Sequence, residues 1–211
     1  MPQLIFFDLD GTLTDPRVGI TRSIQHALHK FGIEPPSCEK LTKYIGPPLI
    51  DSFAEIVGDA RATKALEYYR ERFSEFGWKE NEVYPGIRDT LGKLRNADFR
   101  LCVATSKPEI FARRIVEHFE IDQYFDAIYG AELDGTRSDK SELLRFALTE
   151  TAPSGAAAMI GDRKHDVIGA IANGMQAIGV TWGYGSREEL QAAGATILVD
   201  TPEALLAANF E

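Results

Sequence analysis

From residue 84 onward, the sequence alternates short apolar segments with segments in which apolar residues recur at helical spacing. The apolar segments predict β-strands at residues 99–105, 127–130, 156–160, 177–182 and 195–199. A further apolar segment, LIFF, lies at residues 4–7 and is also followed by helical periodicity. Because a strand–helix repeat joins parallel strands and places helices on both faces of the sheet, we predict an α/β fold with a parallel sheet.

Residues 16–82 do not follow this alternation. Helical periodicity extends to about residue 31, returns over residues 49–57 and again over about 60–76. We interpret this region as a helical insertion. It divides the chain into a core of residues 1–15 and 83–211 and a small helical domain of residues 16–82, which is expected to lie over the carboxyl end of the first strand.

The first strand ends in two acidic residues, Asp8 and Asp10, within FFDLDGTLTD. Residues two apart in a strand point to the same side, so these carboxylates repel each other unless a cation lies between them. On its own, the Asp-Gly pair is equally typical of a β-hairpin turn. The helical periodicity after Asp15-Pro16 favours a strand-to-helix transition instead, and open α/β sheets bind ligands at that carboxyl end.

A second motif, VATSKPE, ends the predicted strand at residues 99–105 and begins a helix. Thr105 and Ser106 lie where the unpaired N–H groups and positive dipole end of that helix suit a phosphate group. Taken alone, the segment favours Ser106 as a simple helix N-cap. Lys107 is expected to be a solvated surface charge.

Two further segments carry charged residues near a strand end or a helix start. Lys140 lies in the first turn of a predicted helix, where its charge opposes the helix dipole. This unfavourable position suggests a counter-charge nearby. A lysine on the solvent-exposed surface is an equally good interpretation. Asp162 follows the strand at residues 156–160, and Asp166 comes four residues later, as a second acid or only as an N-cap. Mg²⁺ prefers such hard oxygen ligands. Together the motifs predict a magnesium and phosphate site at one edge of the sheet.

The composition and net charge of the chain limit the kinds of partner that it can bind. Net charge is −9, from 23 Lys+Arg and 32 Asp+Glu, which argues against nucleic-acid binding and requires local positive charge for an anionic substrate. Cys38 and Cys102 lack metal-binding spacing. No apolar segment approaches the roughly 18 residues of a membrane span, and the first residues do not resemble a signal peptide. We expect a cytoplasmic protein, monomeric or homodimeric, that acts on a small molecule.

The combination of D-x-D-G-T-L-T, T-S-K-P, a lysine and G-D-x-x-x-D resembles the haloacid dehalogenase superfamily across essentially the whole chain. The subgroup it most resembles is the phosphoglycolate-phosphatase-like hydrolases, some of which are nucleotidases. The resemblance implies a Rossmann-like core with a small helical cap, and Mg²⁺-dependent hydrolysis of small phosphate monoesters such as phosphoglycolate or a nucleoside monophosphate. The lysine motif departs from the usual pattern, because Ser-Glu rather than proline follows Lys140.

The resemblance also implies roles for individual residues at the reacting phosphate. Asp8 would be the nucleophile, which forms an aspartyl-phosphate, and Asp10 the general acid and base. Thr105 and Lys140 would bind the substrate phosphate, with Ser106 beside them at the helix start.

A second set of implied roles concerns the metal ion. The Mg²⁺ would be held by Asp8, the carbonyl of Asp10 and Asp162, and Asp166 would support these ligands. In the predicted cap, the segment KYIGPPL at residues 43–49 is the candidate for facing the substrate, with Lys43 or Tyr44 reaching the leaving group. A plain helix-to-helix turn is an equally good interpretation of that segment.

Other functions use similar groups. A sugar phosphomutase would have the same residues but transfer the phosphoryl group within its substrate. A receiver-type signalling domain also gathers acids, a Thr or Ser and a Lys around Mg²⁺, but it is shorter and has no helical insertion. A dehalogenase needs no leaving-group acid such as Asp10. A kinase is disfavoured because G-x-x-x-x-G-K-[ST] is absent from the sequence.

Overall fold

The structure, a computed structural model, describes residues 4–153 and 155–210. The strands in chain order are β1 (Leu4–Phe7), β2 (Thr14–Asp15), β3 (Glu82–Val83), β4 (Arg100–Pro108), β5 (Ala127–Ala131), β6 (Ala157–Gly161), β7 (Gln176–Val180) and β8 (Ile197–Val199). The helices are α1 (Arg17–Lys30), α2 (Cys38–Leu41), α3 (Leu49–Val57), α4 (Asp59–Glu75), α5 (Ile87–Asn96), α6 (Glu109–His118), α7 (Lys140–Thr151), α8 (Lys164–Ala172) and α9 (Arg187–Ala193).

Six of the strands form one parallel sheet in the order β5-β4-β1-β6-β7-β8. β1 lies in its middle, and Phe6 is in register with Cys102 of β4 and Met159 of β6. All four residues of β1 are buried, because both faces of a parallel sheet are covered by helices. The predicted α/β fold with a parallel sheet is therefore confirmed.

The two faces of β1 pack against different helices. Ile5 and Phe7 lie in an apolar cluster with residues of α5 and α6, while Leu4 and Phe6 lie in a second cluster with residues of α7, α8 and α9. This division follows from the alternation of side chains along a strand. It leaves the carboxyl ends of the strands as an edge that neither helix layer covers, and the polar motifs lie at that edge.

A third apolar cluster joins the helices between β2 and β3. Ile24 of α1, Phe53 of α3 and Tyr69 and Phe73 of α4 belong to it. Phe111 of α6 is also a member, and Tyr184 packs against the cluster from the loop after β7. In the described part of the chain, α1 to α4 thus share a core that is separate from the two clusters against the sheet.

The short strands β2 and β3 pair antiparallel, with Thr14 opposite Val83 and Asp15 opposite Glu82. The Asp10-Gly11 turn therefore does not fold the chain back onto β1, and the β-hairpin interpretation of that segment was wrong. The sequence did not predict this ribbon, since two-residue strands are too short to show periodicity. By pairing there, the chain brings both ends of the helical region together.

Among the described residues, none of the helices has both the length and the apolar character needed to cross a membrane.

Candidate active site

A cavity of about 370 Å³ lies between the carboxyl edge of the sheet and the helices α3 and α4. On the sheet side it is lined by Asp8, Asp10 and Thr105, and on the helical side by residues that include Tyr69 and Phe73. Residues from distant parts of the sequence therefore share one enclosed space. The cavity is the natural place for a ligand in an open α/β sheet.

Asp8 follows β1 directly, and its backbone N–H donates to the carbonyl of Ile160, 2.9 Å away. That bond continues the ladder between β1 and β6 and fixes the carboxylate at the strand end. The ammonium of Lys140 lies 2.8 Å from Asp8 Oδ1, 2.7 Å from Asp166 Oδ1 and 2.8 Å from the carbonyl oxygen of Ala104. The counter-charges suggested by the position of Lys140 are thus Asp8 and Asp166.

The electrostatic balance keeps Lys140 charged. Burial by itself lowers the pKa of a lysine, but the adjacent carboxylates of Asp166 and Asp8 outweigh that effect and raise the pKa of Lys140 above its ordinary value. A buried positive charge therefore lies beside the cavity residue Asp8, where it offsets part of the negative charge of the two carboxylates.

Three buried carboxylates, of Asp8, Asp162 and Asp166, have oxygen atoms within 4.8 Å of one another. Burial raises the pKa of Asp162 well above its ordinary value, and the charges of Asp166 and Asp8 add to the effect. One ammonium does not balance three acids, and their hard oxygens are the ligands that a divalent cation prefers. The cluster fits a divalent metal ion by its chemistry.

The carboxylate of Asp162 accepts two hydrogen bonds that hold it in place. The backbone N–H of Tyr184 donates to Oδ2 at 2.7 Å, and the hydroxyl of Thr12 donates to Oδ1 at 3.4 Å. A side chain at Gly11 would overlap this carboxylate, and Gly11 has φ of +91°. Glycine is required at that position for both reasons, so the Gly of the first motif serves Asp162 rather than a hairpin.

Asp166 lies in the first turn of α8, not at its N-cap. The helix begins at Lys164, and the Asp166 carboxylate accepts a hydrogen bond of 3.1 Å from the backbone N–H of Arg163. The N-cap interpretation of Asp166 was therefore wrong. Burial raises the pKa of Asp166, although the charge of Lys140 opposes that rise. The Asp166 carboxylate thus accepts a hydrogen bond at the start of α8 and is also one of the three acids of the cluster.

Asp10 is paired with Lys107, contrary to the expectation that Lys107 is a solvated charge. The Lys107 ammonium donates to Asp10 Oδ2, its side chain is only 6% exposed, and it lies 4.8 Å from the centre of the Phe73 ring. The expectation was wrong because β4 continues past Thr105 with a shift in register, which turns Lys107 towards the cavity.

The environment of Asp10 differs from that of a surface carboxylate. Burial raises the pKa of Asp10, and the ammonium of Lys107 works against this. The second oxygen, Oδ1, is buried without a hydrogen-bond partner among the described residues. An unpaired buried oxygen beside the cavity is suited to exchange a proton with a bound ligand.

Thr105 and Ser106 also line the cavity. Thr105 is buried, and its hydroxyl oxygen accepts a hydrogen bond of 3.2 Å from the backbone N–H of Lys107. Helix α6 begins three residues later, with Pro108 as its N-cap and no side chain capping it. The N-cap interpretation of Ser106 was therefore wrong, and Ser106 lines the same cavity as Asp8.

The two candidate residues of the segment 43–49 differ in position. The hydroxyl of Tyr44 donates to Glu55 at 3.0 Å, and its ring lies in the cavity wall. Lys43 is exposed and lies outside that wall, and its ammonium pairs with Glu55 at 2.8 Å. The sequence did not predict the contact made by Arg163, whose guanidinium donates to the carbonyl of Ile45 and so attaches this segment to the loop after β6.

Known proteins are similar to this chain in sequence and in fold. The family model for haloacid dehalogenase-like hydrolases matches residues 5–180. A 5'-nucleotidase of Pseudomonas aeruginosa is 52% identical over 191 residues, covering 89% of this chain and 86% of that protein. The tyrosine-protein kinase PtkA of Mycobacterium tuberculosis is 42% identical over 198 residues, covering 93% of this chain and 68% of that protein. The crystal structure of a predicted phosphatase from Clostridium acetobutylicum superimposes with a TM-score of 0.94 at 45% identity, covering 99% of this chain and all of that one.

Proposed function

The chain belongs to the haloacid dehalogenase-like hydrolase family, and from that premise we propose that it is a Mg²⁺-dependent phosphatase acting through an aspartyl-phosphate. Its substrates are small phosphate monoesters, either phosphoglycolate or a nucleoside monophosphate. The observation that carries the proposal is that Asp8 and Asp10 line one cavity, while Asp8 also contacts the Lys140 ammonium and belongs to the acid cluster with Asp162. The similarity to relatives named phosphatase and 5'-nucleotidase supports the same reaction class.

In the first half of the reaction, a carboxylate oxygen of Asp8 attacks the phosphorus atom. A new Asp8–phosphorus bond forms while the bond from phosphorus to the ester oxygen breaks. Asp10 gives its proton to that leaving oxygen, so that a neutral alcohol departs. The raised pKa of Asp10 favours the protonated form that this step needs.

In the second half, a water molecule attacks the phosphorus of the aspartyl-phosphate. Asp10, now ionised, accepts the proton of that water, and the Asp8–phosphorus bond breaks. Inorganic phosphate leaves, and both acids return to their starting states. One residue thus acts first as an acid and then as a base, which requires a pKa within reach of the working pH.

Attack by one anion on another requires cancellation of charge. Lys140 supplies a fixed ammonium, and the hydroxyls of Thr105 and Ser106 supply donors to the phosphoryl oxygens. Asp8, the carbonyl of Asp10 and Asp162 would hold Mg²⁺, with Asp166 supporting that set. When bound, the ion withdraws electron density from the phosphoryl group and offsets the crowded acids.

Residues 16–82 act in this proposal as a cap, and residues 1–15 with 83–211 act as the catalytic core. The cavity wall contributed by α3 and α4 excludes bulk water from the phosphoryl site. Within the cap, Tyr44 is in a position to contact the leaving group, whereas Lys43 would have to leave Glu55 to do so.

The test is phosphate release from a panel of esters, with and without Mg²⁺. The panel contains phosphoglycolate, nucleoside 5'-monophosphates, hexose phosphates and p-nitrophenyl phosphate. Repeated turnover that needs Mg²⁺ supports the proposal. Conversion of a hexose phosphate into its isomer would identify a mutase, and a single stoichiometric phosphorylation would identify a signalling domain. Because one relative is named a tyrosine kinase, transfer from ATP to a tyrosine peptide is assayed in parallel.

A further inference from the structure

We propose that Arg70 determines substrate specificity, and that the cavity accepts an uncharged leaving group with a planar ring, as in a nucleoside, rather than glycolate. The inference rests on the proposed function, because it concerns the part of the ester that the phosphoryl site does not hold. Three observations support it: the volume of the cavity, the difference between its polar and apolar sides, and the fact that one of the two cations in its wall is already paired with a carboxylate.

The cavity is built for more than a phosphoryl group. Its volume of about 370 Å³ falls within the range of roughly 300–1,000 Å³ in which proteins enclose small organic ligands. The phosphoryl-binding groups all lie on the sheet side. The space towards α3 and α4 remains for the leaving group, and a two-carbon acid would leave much of it to water.

The half of the cavity that faces the leaving group is mainly apolar and aromatic. Its wall includes Leu49, Leu66, Tyr69, Phe73 and Phe111. Tyr69 and Phe73 are stacked on each other with ring centres 5.2 Å apart, and both are buried. A planar ring gains from contact with such surfaces, whereas a two-carbon acid is too small to cover them.

Two cations lie in the described wall of the cavity, Lys107 and Arg70. Lys107 is engaged by Asp10. Among the described residues, Arg70 has no carboxylate within ion-pair distance, and its guanidinium donates one hydrogen bond of 2.7 Å to the carbonyl of Leu133. A guanidinium has five N–H donors in a rigid plane, so most of its donors remain free for an oxygen acceptor of the ligand.

The rim beside Arg70 carries two acidic residues, which flank Leu133, the residue whose carbonyl accepts the Arg70 hydrogen bond. Glu132 and Asp134 line the cavity from the loop after β5. The backbone N–H of Thr136 donates to Asp134 and lowers the pKa of that carboxyl, which keeps it ionised. Glu132 is paired with Arg137, so Asp134 is the charge that a glycolate carboxylate would approach at this rim. The carbonyl oxygens of a nucleobase carry no net charge and avoid that repulsion.

The experiment measures steady-state kinetics of the full chain with Mg²⁺ on uridine 5'-monophosphate, phosphoglycolate and p-nitrophenyl phosphate. Two variants remove different properties of the residue. Arg70→Met removes the charge and the donors, whereas Arg70→Lys keeps the charge but replaces the planar set of five donors by an ammonium group. Arg61→Met is the matched control, since Arg61 lies on the same helix, also donates to a backbone carbonyl, and is not in the cavity wall.

We expect the wild-type kcat/KM for the nucleotide to exceed that for phosphoglycolate by about tenfold or more. Arg70→Met should raise KM for the nucleotide about tenfold, with kcat changed much less, because one charge-assisted contact to the bound ring is lost. Arg70→Lys should recover only part of that loss. The p-nitrophenyl ester, whose nitro oxygens are weaker acceptors than a base carbonyl, should lose less than the nucleotide, and Arg61→Met should leave all three substrates unchanged.

Two results overturn the inference while leaving the proposed function intact. One is a higher kcat/KM for phosphoglycolate than for the nucleotide. The other is an equal loss on all three esters in Arg70→Met, which would assign Arg70 to holding the cavity closed through Leu133. Absence of phosphate release from every ester in the wild type overturns the proposed function, and the inference falls with it.

Discussion

The ammonium of Lys140 lies 2.8 Å from the carboxylate of Asp8, although 132 positions separate the two residues in the sequence. The same ammonium also contacts the Asp166 carboxylate and the carbonyl of Ala104, so one side chain joins the end of β1, the middle of β4 and the first turn of α8. The nucleophile of the proposed reaction is therefore held in place before any substrate arrives. This arrangement also makes Lys140 important for stability, which can be tested separately from catalysis.

Replacement Lys140→Met should lower the free energy of unfolding by about 3–5 kcal/mol, since it leaves the buried carboxylates of Asp8 and Asp166 without their counter-charge. The pKa of Lys140 is raised in the folded protein, so its contribution is complete at neutral pH and is lost only at strongly alkaline pH. Urea unfolding at pH 7 measures the effect. Lys93→Met, at an exposed position of α5, should change stability by less than about 0.5 kcal/mol. A loss below 1 kcal/mol for Lys140→Met would contradict the buried ion pair.

Replacement Asp8→Asn should abolish turnover and leave the fold intact, because an amide oxygen cannot form the aspartyl-phosphate and the shape of the side chain is kept. Circular dichroism checks the fold, and phosphate release measures turnover. The exposed Asp122→Asn serves as the control and should retain full activity. Substantial remaining activity in Asp8→Asn would mean that Asp8 is not the nucleophile.

The part of the site that follows from strand geometry could be predicted from the sequence. Asp8 and Asp162 each come directly after an apolar segment, and parallel strands end at the same edge of the sheet. An expected counter-charge near Lys140 followed from its unfavourable place in a first helical turn. These arguments need only local periodicity and the polarity of the chain.

The rest depends on local irregularity and on tertiary contacts. Lys107 reaches Asp10 because β4 shifts register after Thr105, and no residue pattern predicts that shift. Tyr69 and Phe73 lie in the cavity wall, yet their helical spacing indicates only an apolar face of α4. A stripe of this kind predicts burial but does not distinguish a core from a ligand-binding surface.

Replacement Asp162→Asn should separate the metal site from the fold. The pKa of Asp162 is higher in the folded protein than in the unfolded chain. The free energy of unfolding therefore falls as pH rises from the pKa of the unfolded state to that of the folded state. Without metal at pH 7, the variant should therefore unfold at a Tm equal to or above that of the wild type, with a gain of up to about 1–4 kcal/mol. Mg²⁺ should raise the Tm of the wild type and not that of the variant. An equal Mg²⁺-induced rise in both proteins would place the ion elsewhere.

Replacement Lys107→Met should move the alkaline side of the pH–rate profile to higher pH. Asp10 must be protonated to donate to the leaving oxygen, so kcat falls as pH rises through its pKa. Burial raises the pKa of Asp10 and the Lys107 ammonium lowers it, so removal of that ammonium should raise the pKa further. The measurement is kcat against pH for an ester with a poor leaving group. For p-nitrophenyl phosphate, whose leaving group needs little protonation, the alkaline side should shift much less. A shift to lower pH, or an equal shift for both esters, would show that Lys107 does not act through the proton of Asp10.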